Sequence, residues 1–284
     1  MVLNYFNPVW ENGLTYSVDM VRLDVRADLE TGQKWFNLLS NKEDYFGKIE
    51  YYQSFKMYQY RHLITVKLDD CDSSITMGFQ LNSEKKHESF KGFIEFNPNK
   101  VGCSKFYEWL LIQLKIQFKE VNVNRWDLAI DIPIERSRVF MRKDNRLYSK
   151  LESQNGITEY LGRRSHDGFV KLYDKTKESN LDIKQTRFEI TISGLKEFDS
   201  LNIPEVTIIN EFSNMNDLNT TDKVLVELIK LNGGIEEYLR KLGRRKSEKL
   251  RPYLVQTDKA LCIEKNIYDE LINQLKLYQI NYIK

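Results

Sequence analysis

The sequence predicts an α+β fold: a mostly antiparallel central sheet with helices, followed by a small helical, basic C-terminal region. Three observations predict it. Segments that alternate apolar and polar residues, the period of a half-buried strand, recur through residues 16–192. Helical patterns are interposed between groups of these strands, which argues for a sheet with helices rather than an all-β barrel. Beyond Asn219 the strand signals give way to helical periodicity and clustered Lys and Arg. A domain boundary is accordingly placed near residue 218, dividing the chain into 1–218 and 219–284.

In order along the chain, residues 16–27 alternate as a strand, and residues 51–67 are rich in Tyr, Phe, Ile, Thr and Val, as strands prefer. A short strand at 91–96 is ended by Asn97-Pro98-Asn99. Ser104 can then cap a helix to about Phe118 that places Phe106, Leu110, Leu111, Leu114 and Phe118 on one face. Residues 124–132 resume the strand pattern until Pro133, and 136–150 read as a helix or loop. Strands follow at 158–162, 168–175 and 185–192. Residues 221–231 and 235–242 are helical by pattern, separated by Gly233-Gly234. An amphipathic helix at 265–277 carries Ile267, Leu271, Ile272, Leu275 and Leu277.

Composition excludes several kinds of chemistry. The 284 residues include 43 Lys+Arg against 41 Asp+Glu, a formal charge of +2, and 41% are hydrophobic, so a sizeable core is available and disorder does not dominate. No run reaches the roughly 20 apolar residues of a membrane span. The N-terminal stretch lacks the order of a secretion signal, so the expectation is a cytoplasmic protein that does not engage membranes. Cys71, Cys103 and Cys262 are far apart, which disfavours a zinc ribbon and suggests buried thiols in a reducing compartment. His62, His87 and His166 form no ligating pair. A metal here would be held by carboxylates, and would therefore be a hard ion, Mg²⁺ or Mn²⁺. There is no phosphate-binding Gly-x-x-x-x-Gly-Lys-Ser/Thr loop and no Gly-x-Ser-x-Gly elbow.

The most informative run is Arg125-Trp-Asp-Leu-Ala-Ile-Asp. On a strand, Arg125, Asp127, Ala129 and Asp131 share one face, while Trp126, Leu128 and Ile130 form an apolar stripe on the other. The two carboxylates repel each other unless a cation or a proton lies between them. Arg187 and Glu189 share a face in the same way, as do Lys171, Tyr173 and Lys175. If these strands are neighbours, one sheet face displays Asp127, Asp131, Glu189, Tyr173 and Lys175. That set can support metal-assisted phosphodiester chemistry. The competing reading is a structural network in which Arg125 and Arg187 pair with the acids.

These motifs, taken with Ile94-Glu-Phe-Asn-Pro-Asn-Lys and Glu159-Tyr-Leu-Gly-Arg-Arg-Ser, and with Lys171-Leu-Tyr-Asp-Lys and Arg187-Phe-Glu-Ile in this order, resemble the rolling-circle replication initiators of Gram-positive plasmids. Conjugative relaxases and phage initiators share them, so a relaxase for conjugative transfer, with the same chemistry, is an alternative reading. The resemblance covers roughly residues 90–200. It implies a relaxase-like nickase core without a histidine pair, which binds a double-stranded origin and nicks one strand. A tyrosine attacks phosphorus, keeps the 5′ end covalently and leaves a 3′-OH primer. It further implies Asp127, Asp131 and Glu189 as ligands of Mg²⁺ or Mn²⁺, with Lys175 offsetting phosphate charge. The implied partners are the origin duplex, the nicked single strand and a host helicase, and the implied assembly is a homodimer.

The family's tyrosine follows the Arg-x-Glu strand by about ten residues, and Phe198 occupies roughly that place. A phenylalanine cannot attack phosphorus. Either a tyrosine has been replaced there, or the protein binds an origin without nicking it, or the nucleophile is elsewhere, with Tyr173, Tyr238 and Tyr253 as candidates. The basic run Arg240, Lys241, Arg244, Arg245, Lys246, Lys249 and Arg251 reads either as a solvated helix face or as a surface that tracks DNA phosphates. A helix–turn–helix or winged arrangement within 219–284 would account for origin recognition.

Overall fold

The apolar alternation of residues 14–28 slips once, at Asp19–Met20, and the slip shapes the centre of the sheet. Tyr16 and Val18 are core residues at even positions, whereas Val21, Leu23, Val25 and Ala27 are core residues at odd ones. The ladder to the neighbouring strand shifts register at the same place. A β-bulge of this kind re-aims one side chain without ending the strand.

The computed structural model describes residues 9–11, 13–40, 47–53, 62–80, 89–154, 156–208, 215–232, 235–254 and 259–281. The first half comprises β1 (Val9–Glu11), β2 (Leu14–Asp28), α1 (Leu29–Ser40), β3 (Gly47–Gln53), β4 (His62–Leu68), β5 (Ser74–Gln80), β6 (Ser89–Phe96), α2 (Pro98–Val101), α3 (Lys105–Gln117) and β7 (Glu120–Ile132). There follow β8 (Val139–Met141), β9 (Tyr148–Ser153), β10 (Gly156–Leu161), β11 (Val170–Asp174), α4 (Lys175–Glu178), β12 (Thr186–Ser193) and β13 (Val206–Ile208). The last part holds α5 (Thr220–Asn232), α6 (Ile235–Lys241), α7 (Arg244–Leu254), β14 (Lys259–Ala260), α8 (Lys265–Lys276) and β15 (Ile280–Asn281).

The fold is α+β, with a large antiparallel sheet ordered β3-β4-β5-β6-β2-β7-β12-β11-β10-β9, to which β1 and β15 add at β2 and β7. A second, three-stranded sheet is ordered β14-β13-β8. Helices cover one face of the large sheet. Trp35 of α1, Phe106 and Leu110 of α3, and Ile267 and Leu271 of α8 join Trp126, Leu128, Ile130, Phe188 and Ile190 in one core. Trp35 stacks on Trp109 (5.4 Å between centroids) and Trp126 meets Tyr268 (5.7 Å). Gly32 lets α1 lie against Phe90, because a Cβ at that position would fall 2.3 Å from the ring. The opposite face of β7, β12 and β11 is polar and charged instead, with Asp131, Tyr173 and Thr191 buried and Asp127, Lys171, Arg187 and Glu189 half-buried.

Several sequence expectations are met. The strands at 124–132, 168–175 and 185–192 are indeed adjacent, and α3 begins after Ser104. Ser104 is nevertheless buried and its side chain makes no capping hydrogen bond to the helix, and Asp70 accepts the first helical N–H, from Lys105, at 2.9 Å. Other expectations are corrected. The 51–67 strand is parts of two strands, β3 and β4, with residues 54–61 outside the described set. Residues 136–150 hold a short 3₁₀ turn, β8 and the start of β9 rather than a helix. Helix α1 and strand β5 have no counterpart in the sequence reading. Gly233-Gly234 lie outside the described residues. Cys103 and Cys262 are exposed and Cys71 is half-buried, so the thiols are not core groups.

The boundary near 218 also needs correction. Leu218, Val226, Ile229, Leu239, Leu250 and Leu254 form a separate small core that holds α5, α6 and α7 together. The chain then returns to the large sheet: α8 packs in its core, β14 pairs β13 and β15 pairs β7. The helical unit is thus an excursion from the sheet body, and the final amphipathic helix belongs to that body because its Ile267-Tyr268-Leu271-Leu275 face is buried there.

Candidate functional site

Strand register assembles the site in rows across the polar face. One row runs Thr158 (β10), Tyr173 (β11), Arg187 (β12), Asp131 (β7) and Thr15 (β2). The next runs Tyr160, Lys171, Glu189, Ala129 and Ser17. A third pairs Thr191 with Asp127. Because side chains alternate along each strand, all of these point to the same side, where Ala129 is fully covered by its neighbours.

The acids are not equivalent. Both oxygens of Asp131 accept hydrogen bonds from Arg187, from Nε at 2.6 Å and from Nη2 at 2.7 Å. Arg187 Nη1 also reaches Asp19 Oδ1 at 3.1 Å, and Asn97 Nδ2 donates to the same oxygen. Burial works against the charge on Arg187, but Asp131 outweighs it and holds the guanidinium protonated. Asp127 Oδ1 accepts from Thr191 Oγ1 at 2.7 Å. Glu189 Oε1 accepts from the Tyr173 hydroxyl at 2.6 Å, while Lys171 Nζ stands 3.7 Å from Oε2 and 3.7 Å from the centroid of the Tyr173 ring.

Burial pushes the Asp127 carboxyl up to about 6. The Thr191 hydrogen bond opposes that shift, and the nearby charge of Glu189 adds to it. Burial raises Glu189 as well, with Lys171 pulling the other way. It also drives the Tyr173 phenol far above its ordinary range, helped by the charge of Glu189. A half-buried carboxyl whose charge is disfavoured by a neighbouring carboxylate favours a proton or a cation beside it.

The pairing bears directly on the expected ligand set. Among the described residues no group of three or more His, Cys, Asp or Glu is arranged to hold a metal ion. Both oxygens of Asp131 are engaged by Arg187, the pairing expected of the structural-network reading. Asp127 Oδ2 and Glu189 Oε2 accept no hydrogen bond from the described residues, and as carboxylate oxygens they suit a hard divalent cation.

Other expected residues lie apart from this face. Lys175 is past the end of β11, in the first turn of α4, with its amine on Glu178 at 2.7 Å and 5.8 Å from the Tyr173 ring. Lys171 is the lysine that meets the acids. Phe198 packs on Tyr268 (5.4 Å), which in turn meets Trp126, so it sits on the helix-covered side of the sheet and not beside Asp127. Tyr238 and Tyr253 pack into the small core of the helical unit. Tyr173 alone, of the four positions considered for the nucleophile, stands at the acids.

The basic run divides between α6 and α7. Lys241 pairs with Glu237 (2.6 Å), Arg244 with Glu248 (2.8 Å), and Lys246 and Lys249 with Asp222 (3.0 and 2.7 Å). These lysines hold the Asp222 carboxyl below its usual range, Lys249 most strongly. Arg245 is exposed on α7, as are Arg240 on α6 and Arg251 on α7. Arg22 and Arg125 both approach Glu95, at 3.7 and 3.2 Å, at the other edge of the acid face. Beyond them a groove of about 440 Å³ is lined by Asp24, Arg26, Lys91, Asn122 and Asn124, and it does not include the acids.

Asp19 and Thr191 are the site residues that sequence reasoning missed. Thr191 was within reach, since it shares the Arg187/Glu189 face by simple alternation. Asp19 was not, because only the bulge in β2 brings it to Arg187.

No family model and no curated protein matches the sequence. Among solved structures, the chain is similar to a rolling circle replication initiator protein from Geobacillus stearothermophilus. The two are 17% identical with a TM-score of 0.39, over 93% of this chain and 97% of that one. Among the described residues no helix is long and apolar enough to cross a membrane.

Proposed function

We propose that this chain is a replication initiator of the rolling-circle type, which binds a double-stranded origin and nicks one strand at the Asp127–Glu189 face. The observation that carries the reading is the half-buried pair Asp127 and Glu189, each with one carboxylate oxygen outside any described hydrogen bond, flanked by Lys171 and Tyr173. The order of the sequence motifs supports it. Asp127 and Glu189 would hold Mg²⁺ or Mn²⁺, which polarises a scissile phosphate and stabilises the charge that develops on it. Tyr173 is the nucleophile this face offers. Its hydroxyl passes the proton to Glu189 Oε1 and its oxygen bonds to phosphorus; the bond from phosphorus to the 3′-oxygen breaks, leaving a phosphotyrosine on the 5′ end and, once protonated, a 3′-hydroxyl. The helical unit would supply duplex affinity, with α7 following α6 after the short turn Leu242-Gly243 as a recognition helix.

A second reading has its own support: the Tyr173 phenol is buried and hard to ionise, and position 198 has no hydroxyl. On that reading the chain binds the origin and recruits the replication machinery without cutting. Supercoiled plasmid carrying the chain's own gene and flanks, incubated with Mn²⁺ or with chelator, separates the two. Metal-dependent nicking with a covalent 5′ adduct, lost in Tyr173→Phe and unchanged in Phe198→Tyr, is expected. Tight binding with no cut by any of the three proteins would establish the binding-only function.

A further inference from the structure

We infer that the turn between β10 and β11, residues 162–169, is a subsite for single-stranded DNA leading onto the acid pair; the inference rests on reading the chain as an origin-processing protein. The turn carries Arg163, Arg164 and His166, all exposed. Among the described residues neither arginine has an ion-pair partner. The one acid in the turn, Asp167, is neutralised from outside it: its Oδ1 accepts the Ser193 N–H at 2.8 Å and its Oδ2 accepts from Lys196. The turn therefore presents net positive charge.

It is also held in place. Gly162, Ser165 and Gly168 have φ of +95°, +66° and +72°, so the turn depends on left-handed residues at fixed positions. The Gly162 N–H donates to Leu147 O and the Gly168 N–H to Thr191 O, both at 2.8 Å. Arg146, itself clamped by Asp144, donates to Gly168 O at 2.6 Å and to Asn202 O at 3.0 Å. Cations on a fixed backbone lose less freedom when they engage a phosphate than cations on a mobile loop.

Aromatic surface lies next to the charge. Tyr160 and Phe169 are near-parallel, with centroids 5.9 Å apart and planes 15° apart, and both stay half-buried rather than entering the core. Tyr160 is the cross-strand neighbour of Lys171, and Phe169 O accepts the N–H of Thr191, the residue that bonds Asp127. A flat aromatic surface beside paired cations suits unpaired bases with their phosphates; duplex bases are already stacked and do not offer their faces. The turn is thus placed to hold the strand on one side of the phosphate that meets Asp127 and Glu189.

The test measures fluorescence anisotropy of the full chain with labelled oligo-dT of about 12 nucleotides, within the span of known single-strand sites, and with a duplex of the same length. Arg163→Ala/Arg164→Ala is expected to weaken oligo-dT binding about tenfold and to flatten its salt dependence by about 1.4, at about 0.7 per lost phosphate contact. Tyr160→Leu, which keeps an apolar side chain, should weaken it about five- to tenfold. The duplex should be affected less than twofold by either. Arg163→Lys/Arg164→Lys should retain most of the affinity, and equal melting temperatures exclude a folding defect. Unchanged oligo-dT binding in both the alanine and leucine variants, equal losses for duplex, or no oligo-dT binding by the parent chain would each overturn the inference. Turn-dependent binding by a chain that never nicks its origin would instead remove the nicking reading and leave this one standing.

Discussion

Strands β7 and β12 show one backbone serving two purposes on its two faces. On one face Trp126, Leu128, Ile130, Phe188, Ile190 and Ile192 are buried against helices and secure the fold by removing apolar surface from water. On the other, at the alternate positions of the same strands, Asp127, Asp131, Arg187 and Glu189 form a partly exposed charged layer. The apolar face is governed by shape and volume and tolerates little deletion. The charged face is governed by pairing: Asp131 and Arg187 satisfy each other, while Asp127 and Glu189 hold a proton more tightly than ordinary carboxyls. Structure and chemistry are thus separated by a single residue step along the strand.

The largest effects should come from attacking each face at its strongest point. Trp126→Ala is expected to cost about 3–5 kcal/mol by leaving a cavity between β7 and α8, read as a shift in the denaturant midpoint. Arg187→Ala should cost a similar amount, about 3–5 kcal/mol, for a different reason: Asp131 is left as a buried charge without its partner. The two mechanisms separate on repair. Arg187→Met combined with Asp131→Leu should recover most of the loss, since a well-packed apolar pair can replace a buried ion pair. Failure to recover would mean that the layer depends on this pairing for more than charge balance.

Asp127→Asn sharpens the contrast through pH. An ordinary aspartate releases its proton near pH 4, but Asp127 in the folded chain keeps it to about 6. Between those values the folded chain binds the extra proton, so this group's contribution to stability is most favourable below pH 4 and declines as pH rises to about 6. The total decline is at most about 3 kcal/mol, from about 2 pH units at 1.36 kcal/mol each. Without added metal, Asp127→Asn should therefore be more stable than the parent above pH 6 and equal to it below pH 4. A stability difference independent of pH would show that Asp127 is not held in the raised state.

The smallest effect expected is at α7, outside both faces. Arg245→Ala should weaken duplex binding a few-fold and reduce the salt slope by about 0.9, the contribution of one phosphate contact on B-form DNA. It should leave metal binding unchanged. No change in the slope would place Arg245 off the DNA.

Much of this was legible in the sequence, because period-two alternation is a local property. The Arg125–Asp131 and Arg187–Ile192 runs assign each residue to its face with no knowledge of the fold, and the adjacency of their strands followed from chain order. Strand β5 carries the same signal in Ile75, Met77 and Phe79, alternating with Ser74, Thr76 and Gly78. Helix α1 is harder to see, since Gly32 interrupts its pattern for the sake of contact with Phe90. What sequence could not give was pairing. Whether Asp131 meets a cation or Arg187 depends on a cross-strand register between residues 56 positions apart. The role of Asp19 depends on a bulge that shows only as a one-residue slip between Val18 and Val21. Lys175 shares the parity of Lys171 and Tyr173, but the strand ends at Asp174 and the helical turn that follows carries it to Glu178. Phe198 follows the Arg-x-Glu strand at a family-like distance, yet the chain after Gly194 crosses to the helix-covered side.

On the proposed function, Asp127 and Glu189, rather than the Arg187-paired Asp131, would hold the cation. Calorimetric titration of Mn²⁺ into the parent chain and into Asp127→Asn, at pH 7.5 and again at pH 5, tests it directly. The parent should bind Mn²⁺ at pH 7.5 and lose roughly tenfold in affinity at pH 5, about one pH unit below the point where Asp127 takes up its proton. Asp127→Asn should show little binding at either pH. Binding that is equal in the two proteins and indifferent to pH would contradict the account.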